Sequence, residues 1–217
     1  MKQEKVLRFV GVTGLPGAGK GAFIDLLRPL LAERGIETRY YSLSDQLREE
    51  ARRRELPVER PVLRAIANQL RQEHGSGVLS LMVVRQMRQD LAALPAGTSL
   101  VVIVDSIRNP EEVRALRGEL GGQFVLVAVE APLEVLVRRL ASRARYDEPE
   151  EVVKRKEAAR QMILGESGEG EPAHGHNIAG CVAMADWRVD NSDSLTMLGE
   201  GIQEFIREMV PKEEIRD

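Results

Sequence analysis

Cysteine, long apolar runs and charge imbalance are all scarce in this chain, and each scarcity removes a class of protein. Cys181 is the only cysteine among 217 residues. No disulfide framework can form within the chain, which fits a reducing compartment, and the expected role of Cys181 is that of a small buried hydrophobe. The N-terminal stretch MKQEKVLRFVGVTG lacks an apolar core with a cleavage site, and its apolar run breaks into glycines well short of the ~20 residues a bilayer span needs. Lys and Arg total 31 against 34 Asp and Glu, a formal net charge of −3, which argues against a general nucleic-acid-binding surface. Repeats at solenoid periods are absent. The expectation is a cytoplasmic protein with neither membrane nor nucleic acid as partner. The length suits one domain carrying small inserts.

Glycine, by contrast, is concentrated where it counts. Residues 14–21 read Gly-Leu-Pro-Gly-Ala-Gly-Lys-Gly, the Gly14-x-x-x-x-Gly19-Lys20 frame of a phosphate-binding P-loop. Gly14, Gly17 and Gly19 have no Cβ, so the backbone can turn tightly and present N–H groups to phosphate oxygens. Pro16, Ala18, Gly21 and Ala22 complete the candidate nucleotide-binding loop. The helix that follows aims its positive end at the same anion, and Lys20 adds a point charge for the β- and γ-phosphates. The motif normally continues with Ser or Thr, whose hydroxyl binds Mg²⁺. Here Gly21 and Ala22 follow.

The pattern around the loop alternates strands and helices. Val6–Thr13 reads as a buried strand feeding the loop, and Lys20–Arg34 as a helix ended by Gly35, with Pro29 inside it. Strands are expected at Thr38–Leu43, Leu100–Asp105, Phe124–Glu130 and Trp187–Val189. Helices are expected after an N-cap at Ser44, then over Glu59–His74, Val78–Leu94, Glu111–Leu120, Pro132–Ser142, Glu151–Leu164, His176–Ala185 and Leu195–Met209. Gly165–Gly175 reads as a loop. Such alternation implies a parallel sheet covered on both faces, with ligands at the carboxyl ends of the strands. The P-loop, Ser44-Asp45, Asp105 and Asp190-Asn191 all follow strands and should gather there.

These segments also carry a resemblance. Pro16-Gly17-Ala18-Gly19-Lys20-Gly21 resembles the adenylate kinase form of the loop, in which Gly follows Lys; that family places its Thr where this chain has Ala22. Asp45-Gln46-Leu47-Arg48 is similar to its Asp-x-Leu-Arg segment, and Asp105-Ser106-Ile107-Arg108 to its Asp-Gly-x-x-Arg turn. Over most of residues 6–210 the order of segments is similar to archaeal adenylate-kinase-like and dephospho-CoA-kinase-like proteins. It is also similar to the kinase-like half of two-domain deoxycytidylate deaminases. The deaminase signature itself is missing, which excludes that chemistry.

The resemblance implies an α/β, three-layer P-loop NTPase fold: a five-stranded parallel sheet flanked by helices, with monophosphate-binding and lid inserts. The core would comprise 5–43, 98–140 and 175–212, the acceptor-site insert 44–97 and the lid 141–174. ATP is the implied donor, with Mg²⁺ anchored by Asp105, and the implied partner is a small nucleotide-like acceptor. Arg48 and Arg108 would clamp its phosphate, because a guanidinium fork matches phosphate oxygens. Asp45 would bind the acceptor or start the helix, and Asn191 would lie near the adenine. Arg143 and Arg145, after Arg139, would close the lid over the phosphates. Lys20, Asp105, Arg108, Arg143 and Arg145 form the expected catalytic set. A sensor or NTPase with little transfer activity is the alternative, motivated by the missing hydroxyl. His174, His176 and Cys181 do not make a standard zinc set. Acceptor identity and oligomeric state, homo-oligomer included, are left open.

Overall fold

The computed structural model describes residues 7–95, 98–142 and 152–210, and at 152–153 the backbone only. In chain order the elements are β1 (Leu7–Thr13), α1 (Lys20–Ala32), β2 (Glu37–Ser42), α2 (Leu43–Arg53), α3 (Arg60–His74), α4 (Val78–Ala92), β3 (Leu100–Asp105), α5 (Pro110–Leu120), β4 (Phe124–Glu130), α6 (Leu133–Ala141), α7 (Val152–Ser167), α8 (Ile178–Ala183), β5 (Trp187–Asp190) and α9 (Leu195–Met209). The strands form one parallel sheet in the order β2-β3-β1-β4-β5. This is the expected five-stranded α/β architecture.

Both faces of that sheet are buried, and the side-chain alternation of β3 shows how. Val101 and Ile103 join Phe23, Leu27, Phe205 and Ile206 on the face covered by α1 and α9. Leu100, Val102 and Val104 join Leu47, Ile66, Val83 and Leu116 on the face covered by α2–α5. A strand buried on both sides has no polar register, which is why LVVIVD reads as one apolar run. Gly11 marks a close approach in the sheet: a Cβ there would lie 2.6 Å from Phe124 Cζ and 2.9 Å from Ile107 Cδ1.

Two expectations are corrected. The cap of α2 is Ser42, not Ser44: Ser42 is extended and its hydroxyl accepts the Ser44 N–H at 3.3 Å. The chain passes from β2 into α2 without a loop, so the last strand residue caps the helix. The helix expected over Glu151–Leu164 runs to Ser167, past Gly165, because one glycine costs a helix only about 1 kcal/mol. Pro29 also sits within a continuous α1. Among the described residues no helix is long and apolar enough to cross a membrane.

Candidate functional site

The carboxyl ends of β1, β2 and β3 converge on one cavity of about 620 Å³. Parallel pairing sets Ser42 beside Asp105 in register, and the P-loop leaves β1 next to them. Gly14, Gly17 and Gly19 adopt φ of 146°, 85° and 95°, the conformations that favour glycine. Added Cβ atoms would meet Val129 O at 2.3 Å, Leu136 O at 2.9 Å and Asn191 Nδ2 at 2.0 Å, respectively. Asn191 is buried, and its amide donates to Ala18 O at 2.7 Å. It therefore sits beneath the loop and props its backbone. The Lys20 ammonium donates to Gly14 O at 2.6 Å. Gly19 caps α1 without a side-chain bond, so no capping side chain takes up the first amides of that helix, which are the kind of donors that bind anions at a helix N-terminus.

Asp105, at the end of the neighbouring strand β3, lines the same cavity. Its Oδ2 accepts the Tyr40 hydroxyl at 3.1 Å, and its Oδ1 is buried without a hydrogen-bond partner. Burial, then the Asp105 charge and hydrogen bond, push the Tyr40 phenol up to about 12. Three serine hydroxyls cluster beside this carboxylate: Ser42 Oγ lies 2.8 Å from Ser44 Oγ and 3.1 Å from Ser106 Oγ. Ser106 takes a positive φ of 68° at the turn after β3. An orphaned carboxylate oxygen amid hydroxyls fits a hard cation that binds oxygen and keeps several waters. The hydroxyls missing at Gly21 and Ala22 thus have counterparts on β2, α2 and the β3 turn. Among the described residues no cluster of three or more His, Cys, Asp and Glu could hold a metal. Cys181 is fully buried, and burial raises its thiol pKa.

The far side of the cavity is basic. Arg48, Arg60, Arg64, Arg71 and Arg108 all line it. Arg48 donates to Asp45 Oδ1 at 2.6 Å and to Ser44 Oγ at 2.9 Å. Arg108 donates to Glu166 Oε2 at 2.5 Å, Arg60 pairs with the same carboxylate, and Arg64 pairs with Glu171. Glu166 is 2% exposed, and His176 Nδ1 stands 3.4 Å from it. Burial would raise its pKa, but His176, Arg108 and Arg60 together hold it well below the usual carboxylate range. Arg71 is more deeply built in. Its Nη2 donates to Glu112 Oε1 at 2.7 Å, with both side chains at most 2% exposed. Glu112 Oε2 also accepts the Arg108 N–H at 2.8 Å and closes the capping box of α5.

The cavity brings together Lys20, Gly14, Pro16, Gly17, Gly19, Gly21, Ala22, Arg48, Asp105 and Arg108. Asp45 falls in an adjoining polar depression with Arg39, Tyr41 and Asp90. Arg143 and Arg145 lie outside the described residues. Sequence reasoning missed Tyr40, Arg60, Arg71, Glu112 and Glu166, and weighed His176 only as a metal ligand. For the charged residues only the charge was visible, and surface arginines look the same until a partner from another element is in place.

A parallel sheet with a glycine loop after its central strand and a carboxylate after the neighbouring one defines a P-loop, kinase-like nucleotide-binding fold. The AAA domain family model matches residues 10–162, and the chain belongs to that family. A UPF0200/UPF0201 protein of Archaeoglobus fulgidus is 30% identical over 213 residues, covering 98% of this chain and 58% of that one. A UPF0200 protein of Thermococcus kodakarensis is 29% identical over 203 residues, covering 93% and 97%. Among solved structures, a shikimate kinase from Acinetobacter baumannii in complex with shikimate aligns over 96% of this chain and 97% of that one. Its TM-score is 0.52 at 14% identity, a likeness of fold alone.

Proposed function

We propose that the protein is an ATP-dependent phosphotransferase that moves the γ-phosphoryl group of ATP to a small phosphorylated, nucleotide-like acceptor. One observation carries this reading: a single cavity is lined both by the P-loop and Asp105 and by two guanidinium groups, Arg48 and Arg108. A nucleotide-binding module without transfer needs only the first set. The similarity of residues 45–48 and 105–108 to the adenylate kinase motifs supports the same assignment, with 44–97 as the acceptor-site insert and 141–174 as the lid.

In this reading the loop amides and Lys20 hold the β- and γ-phosphates, and Asn191 keeps the loop in shape from below. Asp105, with the Ser42 and Ser106 hydroxyls nearby, would hold Mg²⁺, which when bound neutralises charge on the β- and γ-oxygens. Arg48 and Arg108 turn the acceptor's phosphate oxygen toward the γ-phosphorus. The bond from that phosphorus to the bridging oxygen breaks, a new phosphorus–oxygen bond forms to the acceptor, and ADP leaves. Arg143 and Arg145 are assigned to spread charge when the lid closes. Positioning and charge neutralisation are what such a transfer needs from a protein.

The test is incubation with Mg·ATP and a panel of nucleoside monophosphates, nucleosides and dephospho-CoA, followed by detection of phosphorylated product. A product with one acceptor is expected. ATP binding with no product from any acceptor would instead favour a sensor, for which the missing loop hydroxyl argues. ADP release without acceptor would favour an NTPase.

A further inference from the structure

The cavity is lined by more guanidinium groups than one phosphate requires, each paired with a carboxylate. If Arg48 and Arg108 take the acceptor's reacting phosphate, as the reading above has it, Arg60 and Arg64 remain. They stand one helical turn apart on α3, an i, i+4 pair whose side chains project from the same face, roughly 5–6 Å between Cβ atoms. Both line the cavity, and their side chains are 42% and 37% exposed.

Their partners point to what belongs there. Arg60 and Arg64 meet Glu166 and Glu171, two carboxylates five residues apart at and just beyond the end of α7. Glu166 is 2% exposed and faces Arg60, Arg108 and His176 together. Withdrawing a carboxylate from water is unfavourable unless cations surround it, and on this wall Arg60, Arg108 and His176 already hold one anionic group, the Glu166 carboxylate. Glu171, on a turn after the helix, engages one arginine only. The apolar part of the lining is mostly aliphatic, with Leu47, Leu63, Ala67 and Ile107 among it. Tyr40, beside Asp105, and His176, beside Glu166, are the ring-bearing side chains among the described lining residues.

We infer that the acceptor is a bis-anion: its second anionic group, a phosphate or carboxylate held close to the reacting phosphate because Arg60 and Arg108 share Glu166, docks on Arg60 and Arg64 and displaces Glu171. The inference rests on the phosphotransferase reading for its first anion and on the α3 pair for its second. The body between the two anions packs on aliphatic side chains rather than stacking on an aromatic ring. A guanidinium pair with a displaceable internal carboxylate also explains how the cavity stays charge-balanced when empty.

The experiment is calorimetric titration of the full chain, in the presence of ADP, with alkyl monophosphates and with α,ω-alkanediol bisphosphates of two to six carbons. One chain length of bisphosphate should bind about tenfold or more tighter than its monophosphate, the worth of one added charge-assisted contact. Arg64→Gln and Arg60→Gln should each erase that advantage while leaving ADP affinity unchanged, which also shows that the variants fold. Glu171→Gln should tighten the bisphosphate several-fold, since a competitor is gone. Equal affinity for the two series, an advantage that survives Arg60→Gln and Arg64→Gln, or weaker bisphosphate binding by Glu171→Gln would each overturn the inference. A bisphosphate preference without product in the transfer assay would sink the kinase reading and leave this subsite standing. Product from an acceptor with a single anion, unaffected by Arg64→Gln, would do the reverse.

Discussion

The two halves of the cavity are made in different ways. The P-loop half is built from backbone: three glycines at positive φ, a carbonyl under Lys20, and one amide side chain, Asn191, reaching from the far end of the chain to Ala18. The arginine half is built from side chains, and almost every guanidinium is matched to a carboxylate from another element or turn. A backbone cradle is specified by a short contiguous sequence and tolerates little. Apart from Arg48–Asp45, three positions apart in α2, this ion-pair lattice joins residues 41 to 107 positions apart and can exchange partners. Difference in construction therefore predicts a difference in response: the loop should lose ligand without losing stability, and the arginine wall should lose both.

The largest expected effect is on that wall. Arg71→Met leaves the buried Glu112 carboxylate without its cation, and breaking a buried pair costs about 3–5 kcal/mol. Denaturant unfolding should show the loss, and an unchanged midpoint would mean that the lattice is ornamental to the fold. Next comes the loop. Lys20→Ala should lower transfer roughly 10²–10³-fold, the scale of removing one preorganised electrostatic donor, with the melting temperature nearly constant. A Lys20→Ala protein that melts early would erase the distinction drawn here.

Arg108→Ala falls between the two halves, since Arg108 touches Glu166 and follows Asp105 by three residues. It should cost about 1.5–3 kcal/mol of charge-assisted bonding, a factor of roughly ten to a hundred in rate if felt in the transition state. Full activity on the true acceptor would remove it from the clamp. The smallest effect concerns acid. The hydrogen bond from Arg53, with Arg54 behind it, outweighs burial and lowers the Glu50 carboxyl to about 2. Its folded pKa is depressed, so its contribution is whole above about 4.5 and fades as pH falls toward 2. Stability measured across that window should fall less steeply in Glu50→Gln; identical slopes would show the ladder to be inert.

The same contrast governs what could be read from the chain. The parallel α/β class followed from apolar runs alternating with helical periods, because a doubly covered sheet imprints continuous hydrophobicity on its strands. The nucleotide loop was legible because glycine spacing is itself the geometry. The cap at Ser42 was misplaced by two residues because the strand runs straight into the helix and both positions carry Ser. Asp45 was grouped with the cavity residues; it lines the adjoining depression and pairs with Arg48, which lines the cavity.

Residues 14–22, the strand-ending Asp105 and the order of segments determined by themselves that this chain makes a phosphate-binding α/β fold, since each depends on local backbone conformation or on periodic burial. Tertiary structure alone decided which of the many arginines share one cavity, that Glu166 and Glu112 are their buried partners, and that hydroxyls from Ser42, Ser44 and Ser106 gather beside Asp105. Those facts depend on strand order and helix packing, which bring distant residues within hydrogen-bonding reach and leave no periodic mark on the sequence.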